Sequence, residues 1–168
     1  MKKIFCLILV LFVTFIGIKP AYAAGPMLKF TPSSGTYDLN STFKVTIGID
    51  SGTEKTQAVD VWSTFDASKL KVVSIVKAAT PAFDFAMGEA NIDNAAGKFS
   101  VLFSPSAGSA SFEATAVSGD LAVITFEAKS AGTAAVNFTC SSGSTIDSNI
   151  FNTATNDVIN CALNQNGS

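Results

Sequence analysis

The stretch from Gln57 to Ala78 constrains this chain most. Val59, Val61, Ser63 and Phe65 form one alternating set, and Asp60, Trp62 and Thr64 form the other. Period two over these residues predicts a β-strand with two unlike faces. Asp66-Ala67-Ser68-Lys69 reads as a tight turn, because an Asp side chain can bond its own backbone two residues on. Leu70, Val72 and Val73 then restart an apolar strand. The only Trp of the chain lies with Asp60, not with the valines. Whether that face is core or surface decides most of the functional reading.

Other runs share the pattern. Met27–Phe30 is a brief first strand, and Thr42–Ile49 alternates Phe43, Val45, Ile47 and Ile49 against Lys44, Thr46 and Gly48. Residues 79–91 are ambiguous: Pro81 breaks them while Phe83, Phe85 and Met87 alternate. A short strand near Glu89–Asp93 leads through Asn94-Ala95-Ala96-Gly97 into Lys98–Ser104, where Phe99, Val101 and Phe103 share one face. Ser106–Ser118 reads as a surface loop. Leu121–Lys129 and Ala134–Cys140 are further strands, and a loop holding Asp147, Asn149, Asn152 and Asn156 leads to a last one, Val158–Leu163. The polar tail Asn164–Ser168 is expected to fray. About nine short strands without a helix-period segment imply an all-β sandwich or barrel.

The first 23 residues stand apart. Lys2 and Lys3, the apolar run Ile4–Ile18 and the small residues around Ala21 and Ala23 have the layout of a bacterial secretory signal peptide. A retained membrane anchor is the alternative, but the run is short for a span. Cys6 opens the apolar run, away from the cleavage point where a lipidated Cys would sit. Cleavage after Ala23 leaves 145 residues, one domain from 24 to 168, with eight Lys against 13 acids and a net charge of −5. The expected location is secreted, extracellular or on the cell surface, with no membrane span after cleavage. An acidic chain without Arg is a poor partner for nucleic acid, which needs clustered cations.

The chemistry is equally bounded. Without His there is no Ser-His-Asp or Cys-His arrangement. The acids fall mainly in turns and at strand ends, where solvation explains them better than a glycosidase pair. No catalytic residue and no cofactor is assigned. Asp147, Asn149, Asn152 and Asp157 could offer oxygens to calcium, but they miss the EF-hand spacing and suit turns as well; no metal ligand is assigned. Cys140 and Cys161 survive cleavage and suggest a disulfide, two buried thiols being the alternative. Trp62 could anchor a protein partner or a sugar, or fold over the sheet edge. Tyr37 is the only Tyr after the leader, so a strip of planar rings for a polysaccharide is lacking.

The run Ala58–Leu70, with Phe65-Asp66-Ala67-Ser68-Lys69-Leu70 in place of an aromatic-Asp-Pro-x-x-Leu stretch, resembles the cohesin domain. Asn91–Phe103 is similar to that family's hairpin into its sixth strand, and Gly119–Ala128 to its seventh. The likeness covers roughly Met27–Leu163. It implies a nine-stranded jelly-roll β-sandwich, related to a group of carbohydrate-binding modules and non-catalytic. It implies docking of a dockerin-like protein module, which carries the calcium itself, in cellulosome-like assemblies for polysaccharide breakdown. The family's docking face places Asp60, Trp62 and Thr64 of the third strand beside Ser100, Leu102 and Ser104 of the sixth. Ala58 stands where a polar Asn is common, and Pro105 where an acid would help. A Cys140–Cys161 bridge would staple the two sheets near one edge. The alternatives are a carbohydrate-binding module of the same fold and a structural surface or adhesion subunit.

Overall fold

The computed structural model describes residues 25–83, 85–86, 90–104 and 116–168. The leader, Pro105 and nearly all of the Ser106–Ser118 loop lie outside them, as do Met87 and Glu89. Among the described residues ten strands are formed: β1 Met27–Thr31, β2 Thr42–Asp50, β3 Thr56–Phe65, β4 Leu70–Lys77, β5 Phe85–Ala86, β6 Asn91–Asp93, β7 Lys98–Ser104, β8 Ser118–Ala128, β9 Val136–Phe138 and β10 Asn149–Asn152. One sheet has the order β1-β2-β8-β4; the other runs β10-β3-β7-β5, with β9 also on β3 and β6 also on β7. All strand pairs are antiparallel. β5 and β6 follow one another along β7, from Phe85 opposite Ser104 to Asp93 opposite Lys98. Taken as one interrupted edge strand they give nine, the expected jelly-roll sandwich.

Each sheet turns one set of side chains inward. Leu28, Phe30, Ile47 and Ile49 of the first sheet meet Val59, Val61, Phe103 and Ile150 of the second, all fully buried or nearly so. At about 25 cal/mol per Å² of apolar area, this shared core supplies the main drive to fold. β8, with Leu121, Ile124 and Phe126 buried, is central in its sheet. The Asp66 turn forms as its sequence predicts: the carboxylate accepts from the Ser68 amide and hydroxyl. Gly97 is needed where it stands, at φ +63°, because a Cβ there would collide with the Phe65 carbonyl oxygen. Asn94 ties that hairpin to the opposite sheet. Its amide accepts from Val72 N–H at 2.7 Å and donates to Val72 C=O at 2.9 Å, filling the bulge in β4.

The C-terminal third differs from expectation. The Asn-rich stretch read as a loop contains β10, whose Ile150 is fully buried against β3; Ile150 and Phe151 stand side by side between two Asn and give no period-two signal. Val158–Leu163 is not a strand. Asn160 accepts from Ala162 N–H and caps a 3₁₀ turn, Cys161–Leu163, since Asn side chains compete with the ladder for backbone donors. The tail is not frayed. Gln165 exchanges backbone bonds with Leu28 and Phe30, Gly167 exchanges them with Val136, and the Asn164 and Asn166 side chains accept from Leu28 and Phe138. It thus closes the gap between β1 and β9, using polar groups that a search for apolar runs passes over. Cys140 and Cys161 are joined, with Cα atoms 5.6 Å apart. The bridge links the end of β9 to the turn beside β1, so it staples the two sheets.

Candidate functional site

The outer face of the second sheet holds the residues singled out from sequence. Val59, Val61, Ser63 and Phe65 of β3 point into the core, and Asp60, Trp62 and Thr64 point away from it. Opposed residues of an antiparallel pair share a face. Asp60 stands opposite Leu102, Trp62 opposite Ser100, and Thr64 opposite Lys98. Ser104, two residues beyond Leu102 on β7, continues the row and pairs with Phe85. Asp60, Trp62, Thr64, Ser100, Leu102 and Ser104 are therefore brought together on one open sheet face. Trp62 is 42% exposed, so its ring does not fold into the core.

The backbone of Trp62 is held in an unusual way. β9 and β10 run along the same edge of β3 and leave a gap at this residue. Thr139 N–H donates to Trp62 C=O at 2.8 Å. Ser148 Oγ accepts from Trp62 N–H at 2.9 Å and donates to Trp62 C=O at 2.8 Å. One hydroxyl takes the place of a strand. The loop between the two short strands is braced by the Cys140 bridge and by Ser141 N–H, which donates to Asp147 Oδ2 at 2.6 Å. It presents Ile146, 83% exposed, beside Trp62. Trp62, Thr64, Lys98, Ser100, Thr139 and Ile146 border a shallow groove of about 390 Å³. Ile146 and Ser148 are the functional candidates that sequence reasoning missed. Ser148 is 86 residues from Trp62, and no local pattern announces their meeting.

Electrostatics single out Asp60. Burial pushes its carboxyl above the ordinary range, a hydrogen bond from the Trp62 side chain works against that, and the charge of Asp147 adds to the rise. The four oxygens considered for calcium do not act as a set. Asp157 Oδ1 accepts from the amides of Ile150 and Ile159, and Asn152 Oδ1 from those of Ala154 and Asn156. Asp147 and Asn149 lie instead beside Asp60, for Asn149 is its direct partner across β10 and β3. Tyr37 stacks on Phe43, with ring centroids 3.7 Å apart, and borders a different cavity from Trp62. The two do not form one aromatic platform. Among the described residues no helix is long and apolar enough to cross a membrane.

With this geometry in place, the likeness to known proteins is specific. The family model described as the cohesin domain matches residues 28–161. None of the curated proteins compared matches the chain. Among solved structures, the sixth cohesin of Acetivibrio cellulolyticus scaffoldin B, in complex with a dockerin, is 20% identical. The match covers 86% of this chain and 96% of that one, with a TM-score of 0.60. A type I cohesin–dockerin complex from Clostridium thermocellum is 14% identical over 86% of this chain and 96% of that one, TM-score 0.63. A non-cellulosomal cohesin of the archaeon Archaeoglobus fulgidus is 14% identical over 86% and 88%, TM-score 0.60. At such identities the structures speak for the fold alone.

Proposed function

This chain belongs to the cohesin domain family, and from that membership we propose that it is a non-catalytic module that docks a dockerin-type protein on the outer face of β10-β3-β7-β5. The observation that carries the reading is the exposed Trp62, set in a row with Asp60 and Leu102 on an open sheet face. Trp is a favoured hot-spot residue, because a large planar side chain gains much contact area for little ordering cost. Asp60 and Ser100 supply hydrogen-bonding groups near it, while Ser104 and Thr64 close the row. Ile146 and the groove below it give a partner side chain a place to enter. The partner brings its own calcium, as dockerins do in the family reading.

Residues 24–168 constitute one domain, released outside the cell or held at its surface once the leader is cut. A role in polysaccharide-degrading assemblies follows if the partner is an enzyme-borne dockerin. The test is calorimetry of the oxidised chain against a panel of dockerins, alongside pull-down on insoluble cellulose and chitin. Docking predicts saturable binding to at least one dockerin that Trp62→Ala removes. Retention on a polysaccharide that Trp62→Ala abolishes, with no dockerin bound, replaces this reading by the glycan one. Self-association into a regular oligomer at micromolar concentration points to a structural subunit instead.

A further inference from the structure

We propose that Asp60, Asp147 and Asn149 form a binding site of the chain itself for a hard, oxygen-liganded cation, calcium, where the 140–148 loop folds back against β3. Asn149 stands directly opposite Asp60, so both side chains leave the sheet on the same face with Cβ atoms about 5 Å apart. Asn149 is 0% exposed and Asp147 is 4% exposed. Asn149 Nδ2 donates to the Asp147 carbonyl at 2.5 Å, which fixes the amide. Asn149 Oδ1 has no hydrogen-bond partner among the described residues. Asp147 Oδ2 accepts from Ser141, while its Oδ1 likewise has none.

Two buried acceptors, Asp147 Oδ1 and Asn149 Oδ1, thus lack a donor beside the Asp60 carboxylate, whose own donor is the Trp62 side chain. The two ion pairs among the described residues, Lys69 with Asp66 and Lys71 with Glu127, lie elsewhere. Leaving a buried acceptor unpaired is costly because its lost hydration is not replaced, and more so if it is charged. Asp147 lies close enough to Asp60 for the two carboxylates to interact. A cation satisfies both buried acceptors at once and balances the two neighbouring carboxylates. The ligands are oxygens only, two carboxylates and an amide carbonyl, which suits calcium and disfavours zinc, a metal of nitrogen and sulfur sites. Asp60 is only half-buried, so water can complete the coordination from its side. The bound ion would pin the loop that carries Ile146 and Ser148 against Trp62.

Terbium, a luminescent stand-in for calcium, tests this on the oxidised full chain without a partner, so failure here leaves the docking reading untouched. Trp62, the only Trp, sits against Asp60 and would sensitise the emission. Saturable emission is expected, displaced by calcium well before magnesium, together with a calcium-dependent rise in melting temperature. Because affinity follows ligand charge, Asp147→Asn should weaken binding about tenfold and Asn149→Asp should tighten it. Circular dichroism checks that both variants fold; folding of Asn149→Asp only with calcium also supports the site. Emission that never saturates overturns the proposal, as does a titration curve that neither substitution moves.

Discussion

Trp62 and Asp60 show how one residue can serve the surface without serving the core. The Trp62 ring is partly in solvent, so its removal should cost little stability and much affinity. Trp62→Ala is expected to weaken dockerin binding by about 2 kcal/mol or more, the scale of a hot spot, and to shift folding stability by less than about 1 kcal/mol. Calorimetry and urea unfolding measure the two. Asp60 makes stability depend on pH in a defined direction. Its carboxyl is raised above the ordinary 3.8, chiefly by burial, so the folded chain holds the proton more tightly than the unfolded one. Stability from this group is therefore greatest below 3.8 and falls as pH climbs through the raised value. Asp66 acts oppositely: the Ser68 and Lys69 side chains and the Ser68 amide hold it low, and that contribution is lost as pH falls. Urea midpoints across the acid range should show the Asp60 slope, and Asp60→Asn should remove it.

Between elements, hydrogen bonds from single side chains do what continuous strands do elsewhere. Ser148 serves both backbone groups of Trp62 at the gap between β9 and β10. Ser148→Ala leaves the Trp62 N–H unpaired, while Thr139 still serves the carbonyl, and should cost about 1–3 kcal/mol, read by urea unfolding, with weaker docking because the Trp62 backbone is less firmly fixed. Asn94 does the same for Val72 across the sandwich. The strands β3 and β4 with the turn between them, which carries the chain from one sheet to the other, and the Asn94–Gly97 turn were legible because alternation and turn chemistry are local. β10 was not, because its pairing with β3 is a property of two segments some ninety residues apart. Asn149 and Asp147 read as turn formers from sequence, yet they are buried beside Asp60.

At the scale of the whole molecule, the sandwich is closed at one edge by the Cys140–Cys161 bridge and by the C-terminal strip. The bridge spans 21 residues, and in the entropy model a loop of that size contributes about 3 kcal/mol. Cys140→Ala with Cys161→Ala should lower the melting temperature by roughly 10 °C. Deleting residues 164–168 removes the bonds to Leu28, Phe30 and Val136; at about 1 kcal/mol per bond the loss should reach roughly 4 kcal/mol, where a frayed tail would give none. Both are read by thermal unfolding of the oxidised chain. By itself the sequence determined the fold class and the two unlike faces of β3 and β7, with Trp62 on the face opposite the valines; that this face is the open one came from the structure. Period-two alternation and turn residues act within a few positions, so they survive without the rest of the chain. Only the tertiary structure decided what lies around that Trp. Ser148 beneath its backbone, Ile146 beside it and the Asp147–Asn149 pair next to Asp60 come from a distant segment, brought there by burial of Ile150 and by the disulfide.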